Sequence, residues 1–469
     1  MAEFQQQIPW AILSRTFQDA IDVCRNLGVD YIWIDSLCII QDSEADWDAE
    51  AVKMADTYKN ALVTIAATKS RDGAGGCYSE RDAGHVDHRP ILGGLAYIRK
   101  QMPPFYPRID DRARWPLLQR GWVFQEMALS PRVLHFGCEE VVWECRSCRR
   151  SESGSNDHDS PSRDVRAGFL QTDHPASPEA WYDIVRDYSR LGLTYDKDKL
   201  PALAAITQMV ARSRAAAAAA AADDDDDDDG FLAGLWRGTL LADLFWEPEF
   251  RRKSSARPAN PAIPTWSWAS VSSPVQWHAR FRPGSLEPLA STRIVDVAVE
   301  CRGSPYLGRY SRAQLVLRGP LIRTALRALE TSEFQAPGDR DPLEIGGAMR
   351  VHQFTADYVH SAAAGPDHIS GDAEVFILPI AIQNAGAHLT YGLALRTKPG
   401  GGGGGGGPGT VFYERIGLVL LACIPSQERG HLLDSNLSSG QQRAREVAKS
   451  FTETQAFLAT LPLSTVTIV

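Results

Sequence analysis

The chain has 469 residues, enough for two to three domains that each bury a sizeable core. Its formal net charge is -9, but the single run Asp223 to Asp229 supplies seven of the negative charges and leaves -2 elsewhere. No basic stretch indicates a nucleic-acid surface, and no segment reaches the roughly 18 apolar residues of a membrane span. The first residues lack the basic and apolar regions of a signal peptide, so we expect a cytoplasmic protein.

The first helix is predicted from a cap, an apolar face and a terminator. Ser14 is a typical N-cap and Gly28 a typical end. The apolar residues between them recur at helical spacing: Phe17, Ala20, Ile21, Cys24 and Leu27. The short apolar run Tyr31 to Ile34 follows and predicts a buried strand of a parallel sheet, with Asp35 at its carboxyl end. Ligands of open α/β sheets bind at that end.

A second helix is predicted from about Asp46, with Trp47, Ala51, Met54 and Tyr58 on its apolar side. It leads into a strand-like segment at Leu62 to Ala67. The alternation of helices and strands predicts an α/β domain with a largely parallel sheet flanked by helices.

The same domain continues beyond residue 110. Leu117 to Leu129 has a helical pattern that ends at Ser130-Pro131, because proline cannot continue a helix interior. Two short strands are predicted next, at Val133 to Phe136 and Val141 to Cys145.

Eight cysteines are scattered along the chain, without the dense pairing of a small secreted scaffold, and are predicted to be reduced thiols. Cys145-Arg-Ser-Cys148, with Cys138 and His135 nearby, resembles half of a zinc site, but a second pair of ligands is missing downstream. Cys38 has the two interpretations of a nucleophile and a small buried hydrophobic residue, and the second is the more common.

Low-complexity runs divide the remainder. We predict a polar linker, a helical segment and an Ala/Asp run over 147–230, and a Trp-rich connecting segment over 231–290. Trp266 and Trp268 in that segment are predicted to be core or interface residues. Residues 291–469 are predicted to form a β-rich carboxyl-terminal domain with a flexible glycine-run insertion at 400–407 and a helix over 441–457. Its strand-like pieces are 294–299, 313–318, 353–358, 373–382, 391–395 and 411–422.

Two aromatic-rich blocks carry a family resemblance. They are Tyr31-Ile-Trp-Ile-Asp-Ser-Leu-Cys-Ile-Ile-Gln-Asp42 with its continuation to Ala67, and Arg120-Gly-Trp-Val-Phe-Gln-Glu-Met-Ala-Leu-Ser-Pro-Arg132. A Gly-x-x-x-x-Arg element from Gly76 to Arg81 lies between them, and Val142-Trp-Glu-Cys145 follows. The blocks resemble the HET domain of fungal heterokaryon incompatibility proteins, and we assign it to residues 1–146.

The resemblance implies a fungal protein of self/non-self recognition that triggers programmed cell death. Its expected partners are other incompatibility proteins or a second copy of itself. HET domains open with a strand and turn similar to Ala-Leu-Ser-Tyr-x-Trp-Gly, and Met1 to Leu13 contain no such motif. We therefore expect an amino-terminally truncated or degenerate copy with low solubility and little activity.

The second block also resembles the Trp-x-x-x-Glu helix of Toll/interleukin-receptor (TIR) domains, in which the glutamate supports cleavage of NAD. This resemblance implies a TIR-like fold, Glu126 as the catalytic carboxylate, and a substrate site formed by Asp35, Arg81 and Trp122. NAD is then a substrate, and the residues indicate no bound cofactor or metal. The alternative is a signalling module without enzyme activity that acts by oligomerising. An enzyme needs these polar groups convergent and partly exposed.

Overall fold

The structure is a computed structural model. It describes residues 6–80, 85, 89–98, 100–103, 105, 114–159, 177–221, 230–249, 262–278, 281, 285–325, 349–357, 373–383, 389–398, 411–423, 452 and 454–469. The chain forms two compact units. The first contains residues 1–175, 191–194 and 201–210, and the second contains 176–190, 195–200 and 211–469.

The described helices of the first unit are α1 Arg15–Asn26, α2 Asp35–Cys38, α3 Glu44–Asn60 and α4 Gly121–Leu129. The predicted start and end of α1 are confirmed. The Ser14 hydroxyl accepts the Phe17 N–H at 3.4 Å, and Gly28 has a φ of +67°. That left-handed conformation strongly favours glycine and ends the helix. The predicted 117–129 helix is split into a 3₁₀ turn at Leu117–Gln119 and α4.

The sheet of the first unit has the order β1-β4-β5-β6, and a separate hairpin pairs β2 with β3. The strands are β1 Thr64–Ala66, β2 Arg89–Ile91, β3 Ala96–Ile98, β4 Arg132–Phe136, β5 Val141–Cys145 and β6 Arg149–Ser151. Only β1 and β4 pair in parallel, whereas β4–β5 and β5–β6 are antiparallel. The unit is mixed α/β, and the largely parallel sheet that we expected is not confirmed.

The strand predicted at Tyr31 to Ile34 is wrong. These residues are not part of a strand, and the Tyr31 side chain is 90% exposed. A buried strand needs a partner for its backbone groups, and within the described residues the sheet contains none for this segment. Asp35 therefore begins the short helix α2 and does not end a strand.

Buried tryptophans form the centre of the Trp-rich part of the second unit. Its described helices are α5 Pro178–Ser189, α6 Ala204–Ala221, which begins in the first unit, and α7 Leu240–Asp243. Short strands follow at β7 Phe231–Leu232, β8 Leu235–Trp236, β9 Glu247–Pro248 and β10 Val275–Gln276. The fully buried indoles are Trp181, Trp236, Trp246, Trp266 and Trp268, each 0% exposed. The prediction that Trp266 and Trp268 are core residues is confirmed.

The described part of residues 285–469 contains a nine-stranded sheet with the order β11-β16-β17-β18-β19-β13-β12, in which β14 pairs with β16 and β15 with β18. The strands are β11 Leu286–Pro288, β12 Arg293–Cys301, β13 Tyr310–Pro320, β14 Ile322–Ala325, β15 Met349–Ala356, β16 Glu374–Gln383, β17 Leu389–Thr397, β18 Phe412–Cys423 and β19 Leu463–Ile468. The predicted β-rich region is thus confirmed. The glycine run at 400–407 lies outside the described residues, as does most of the helix predicted over 441–457, where 452 and 454–460 are helical.

One buried ion pair connects the sheet to the Trp-rich part of this unit. Arg415 on β18 and Asp357 are both 0% exposed and form two hydrogen bonds of 2.9 and 3.0 Å. The guanidinium also donates to the carbonyls of Leu244 and Trp246 at 2.5 and 2.7 Å, and lies 3.6 Å from the centre of the Trp246 ring. Each nitrogen of the buried guanidinium thus has a hydrogen-bond partner, which limits the cost of burying its charge.

Candidate functional site

Helix α4 places Trp122 and Glu126 one turn apart on the same face. The Trp122 ring meets Trp47 of α3 edge-on, with 6.1 Å between the ring centroids. Both tryptophans are only partly buried. The α3–α4 contact therefore leaves aromatic surface accessible next to the glutamate.

Tyr58, near the end of α3, donates a hydrogen bond from its hydroxyl to the Glu126 carboxylate. Its ring packs edge-on against Trp33, with 5.7 Å between centroids. Burial raises the pKa of Tyr58, and the negative charges of Glu126 and Asp35 raise it further. The tyrosine therefore remains a protonated donor toward the carboxylate.

Glu126 has an unusual ionisation. Burial of its carboxyl group and the negative charge of Asp35 raise its pKa to about 7, although Arg120 and the Tyr58 hydroxyl act in the opposite direction. The side chain keeps partial solvent exposure, and Asp35 and Arg120 are exposed. A pKa near the working pH lets a carboxyl group both give and take a proton, which is the condition for general acid–base work.

The backbone beside Glu126 is fixed from two sides. The neighbouring Gln125 is buried, and its side-chain oxygen accepts the Ala205 N–H at 2.7 Å in the first turn of α6. At the end of α4, the Ser130 hydroxyl donates to the Glu126 carbonyl at 2.7 Å and contacts the Thr64 hydroxyl of β1 at 2.6 Å. Helix α4 thus holds the carboxylate on a rigid support.

Of the predicted site residues, the structure brings Asp35, Trp122 and Glu126 into one region. Arg81 lies outside the described residues. Tyr58 and Arg120 were not predicted as site residues. The sequence pattern could have indicated Tyr58. It lies three helical turns after Trp47 on the same face of α3, and its hydroxyl is a polar group at the end of an apolar row.

The structure also shows the surroundings of Cys38 and His135, which the sequence analysis considered as a nucleophile and as a neighbour of a zinc site. Cys38 is exposed on α2, so its interpretation as a buried hydrophobic residue is wrong. His135 is buried and has a partner at each ring nitrogen, the Thr68 hydroxyl at 3.1 Å and the Glu144 carboxylate at 3.3 Å, as expected for a core histidine. The described residues contain no group of three or more His, Cys, Asp or Glu side chains placed to hold a metal ion.

A cavity of about 380 Å³ lies in the same unit, and its lining includes none of Asp35, Trp122 and Glu126. The ion pair between Arg114 and Glu139 forms part of its wall. His85 also lines it and is buried, and no described residue forms a hydrogen bond with either ring nitrogen. This cavity is thus a polar feature distinct from the Glu126 site.

Part of the mixed α/β unit, including Trp122 and Glu126, matches a known protein family. The family model described as Heterokaryon incompatibility protein (HET) matches residues 1–126. Residues 1–126 therefore carry a HET domain, and the matched segment ends at Glu126. No curated protein and no solved structure matches the chain. Among the described residues, no helix has the length and apolar character needed to cross a bilayer.

Proposed function

We propose that this chain is a fungal incompatibility protein that takes part in self/non-self recognition and triggers programmed cell death from the cytoplasm. The match of residues 1–126 to the HET family supports this proposal. Controlled expression in a filamentous fungus should arrest growth. Normal growth with well-expressed full-length protein would count against a role in cell death.

For the way in which the chain kills, we propose cleavage of the nicotinamide–ribose bond of NAD at the Glu126 site. The observation that favours it is the polar cluster itself: a carboxylate with a raised pKa, held by the Tyr58 hydroxyl and adjacent to Asp35, beside partly exposed aromatic rings. Strongly perturbed carboxylates on rigid elements are typical of functional sites.

The reaction gives each group a defined role. When the bond between the ribose C1′ and the nicotinamide nitrogen breaks, its electron pair leaves with nicotinamide and positive charge develops on the ribose. An ionised Glu126 beside the ring stabilises that charge or orients the ribose hydroxyls, and water then adds at C1′ and loses a proton. We assign Trp122 to stacking on nicotinamide and Tyr58 to keeping the carboxylate in position.

The test is NAD consumption by the purified full-length chain. The reaction needs the ionised carboxylate, so its rate should rise with pH through about 7. Glu126→Gln keeps the shape but removes the charge, and should lower the rate at least 100-fold, the lower range for a group of this kind. Asp56→Asn, an exposed substitution on α3, is the matched control and should leave the rate unchanged. Equal rates for wild type and Glu126→Gln would eliminate Glu126 as the catalytic group.

A second mode of action is a signalling module that oligomerises or recruits partners, and a different observation favours it. Large apolar side chains are exposed along the segment next to the site, among them Leu27, Tyr31 and Leu37. Exposed apolar groups that cluster in one segment are typical of interaction surfaces. Growth arrest that persists in Glu126→Gln but is lost when Tyr31 and Leu37 are replaced by serine would favour the module over the enzyme.

A further inference from the structure

The turn between β5 and β6 contains the sequence Cys145-Arg-Ser-Cys148 and brings two thiols together. Their sulfur atoms are 3.7 Å apart, and the Cys145 N–H donates to the Cys148 carbonyl at 2.9 Å. Both cysteines are partly exposed. The Glu126 site uses neither of them.

Hydrogen-bond donors converge on the Cys145 sulfur. Burial of this sulfur alone would raise its pKa, but donation from the Ser147 hydroxyl, the backbone N–H groups of Ser147 and Cys148, and the Cys148 thiol lowers the pKa to about 6. The Ser147 oxygen lies 3.3 Å from the sulfur. The same contact with Cys145 raises the pKa of Cys148, which therefore keeps its proton. The turn thus holds one thiolate and one thiol side by side.

We propose that Cys145 and Cys148 form a thiol–disulfide exchange site, in which Cys145 attacks a low-molecular-weight disulfide and Cys148 completes the exchange. The two sulfurs need to approach by only about 1.7 Å to reach a disulfide bond length of roughly 2.05 Å. The low-pKa, partly exposed member of a Cys-x-x-Cys pair is the usual nucleophile of such exchange.

The exchange balances in two steps. The Cys145 thiolate attacks one sulfur of the external disulfide, the bond between its two sulfurs breaks, and one thiolate leaves with the electron pair. Cys148 then passes its proton to the thiolate released first and attacks the Cys145 sulfur, which releases the second external thiolate. The pair of cysteines is oxidised by two electrons, and the external disulfide is reduced to two thiols.

Cys77 provides a contrast within the same unit. It is buried, and burial raises the pKa of its thiol to about 12. A thiol that stays protonated away from solvent does not exchange. We therefore expect oxidation to select the Cys145–Cys148 turn over Cys77.

The first experiment measures alkylation by iodoacetamide as a function of pH, on the reduced full-length chain, with each cysteine followed by peptide mass. Cys145 should reach half of its maximal rate near pH 6, about 2.5 pH units below a reference cysteine peptide. The pH midpoint is the diagnostic quantity, because a thiolate of lower pKa is also less nucleophilic and the rates at neutral pH differ little. Ser147→Ala removes one donor in an exposed turn and should move the midpoint upward. A wild-type midpoint equal to that of the reference peptide would overturn the proposal.

The second experiment uses glutathione disulfide as the oxidant. Trypsin cleaves after Arg146, between the two cysteines, so a Cys145–Cys148 disulfide holds two peptides together until it is reduced. The wild type should give this linked pair, and Cys148→Ser should instead accumulate glutathione on Cys145. Separate peptides without glutathione in both proteins would overturn the proposal, as would oxidation of Cys77 in preference to this pair.

Discussion

The raised pKa of Glu126 makes the stability of the fold depend on pH. In an unfolded chain a glutamate ionises with a pKa of about 4.3. In the folded protein the pKa is about 7, so the folded state binds more protons than the unfolded state between these values. The free energy of unfolding therefore falls as the pH rises from about 4.5 to 7, and the loss persists above pH 7.

Glu126→Gln should reveal this loss. The uncharged amide has nothing to ionise, so the variant should match the wild type near pH 4, below the pKa of an unfolded glutamate, and exceed it in stability near pH 8. The difference is expected to be about 1–3 kcal/mol, below the full value of the shift because solvent reaches the group. Urea unfolding at the two pH values measures it. A stability difference that does not change with pH would show that the Glu126 pKa is not raised.

At the scale of elements, helix α4 depends on a close contact at its first residue. The Gly121 N–H donates to the Gly192 carbonyl at 2.8 Å, and the Gly192 N–H donates to the Gln119 carbonyl at 2.7 Å. A Cβ atom at position 121 would lie 2.5 Å from the Leu193 Cδ2 atom and 2.9 Å from its Cγ atom. Position 121 therefore favours glycine because of the close contact with Leu193. The backbone there does not have a positive φ.

Gly121→Ala should destabilise the protein by about 1–3 kcal/mol, the usual cost of overpacking. Adding Leu193→Ala removes the side chain that the new methyl group meets, so the double variant should lose less stability than the two single changes together predict. Chemical unfolding of the four proteins of this cycle provides the measurement. Strict additivity would mean that position 121 tolerates a side chain without contacting Leu193.

Many of the longer elements could be predicted from local patterns, and the main error has a physical cause. The α1 cap, the β5 bounds and the six strand-like pieces after residue 290 are predicted well, because caps and alternation are local properties. Tyr31 to Ile34 has the composition of a buried strand, yet burial depends on a partner strand that no local pattern specifies. Strand β19 was not predicted, although polar and apolar residues alternate from Thr465 to Ile468.

The site was predicted in part for a similar reason. Trp122 and Glu126 are one turn apart in the sequence, so their shared face follows from helix geometry alone. The contact of Tyr58 with Glu126 connects two helices that are far apart in sequence, and only packing brings them together. The raised pKa of Glu126 depends on that packing, and composition does not reveal it.

At the scale of the whole molecule, the second unit encloses a complete charge pair, Arg415 and Asp357, each 0% exposed. Replacing Arg415 with methionine leaves Asp357 buried and unpaired, and should cost about 3–5 kcal/mol. Arg415→Met combined with Asp357→Leu leaves no orphaned charge, so the double variant should be more stable than Arg415→Met. Denaturant unfolding followed by tryptophan fluorescence suits this test, because the guanidinium lies against the Trp246 ring. A double variant at least as unstable as the single one would contradict the argument.

The position of strand β19 in the sheet affects how the chain folds during its synthesis. The strand lies between β18 and β13 in the sheet, and it follows all the other described strands in the sequence. On the ribosome, β12 to β18 emerge before the strand that joins the two parts of their sheet. Until Leu463 to Ile468 leaves the exit tunnel, β13 has an unpaired edge, and such edges promote aggregation. We therefore expect the yield of native protein during synthesis to depend on chaperones that bind the nascent chain until β19 has emerged.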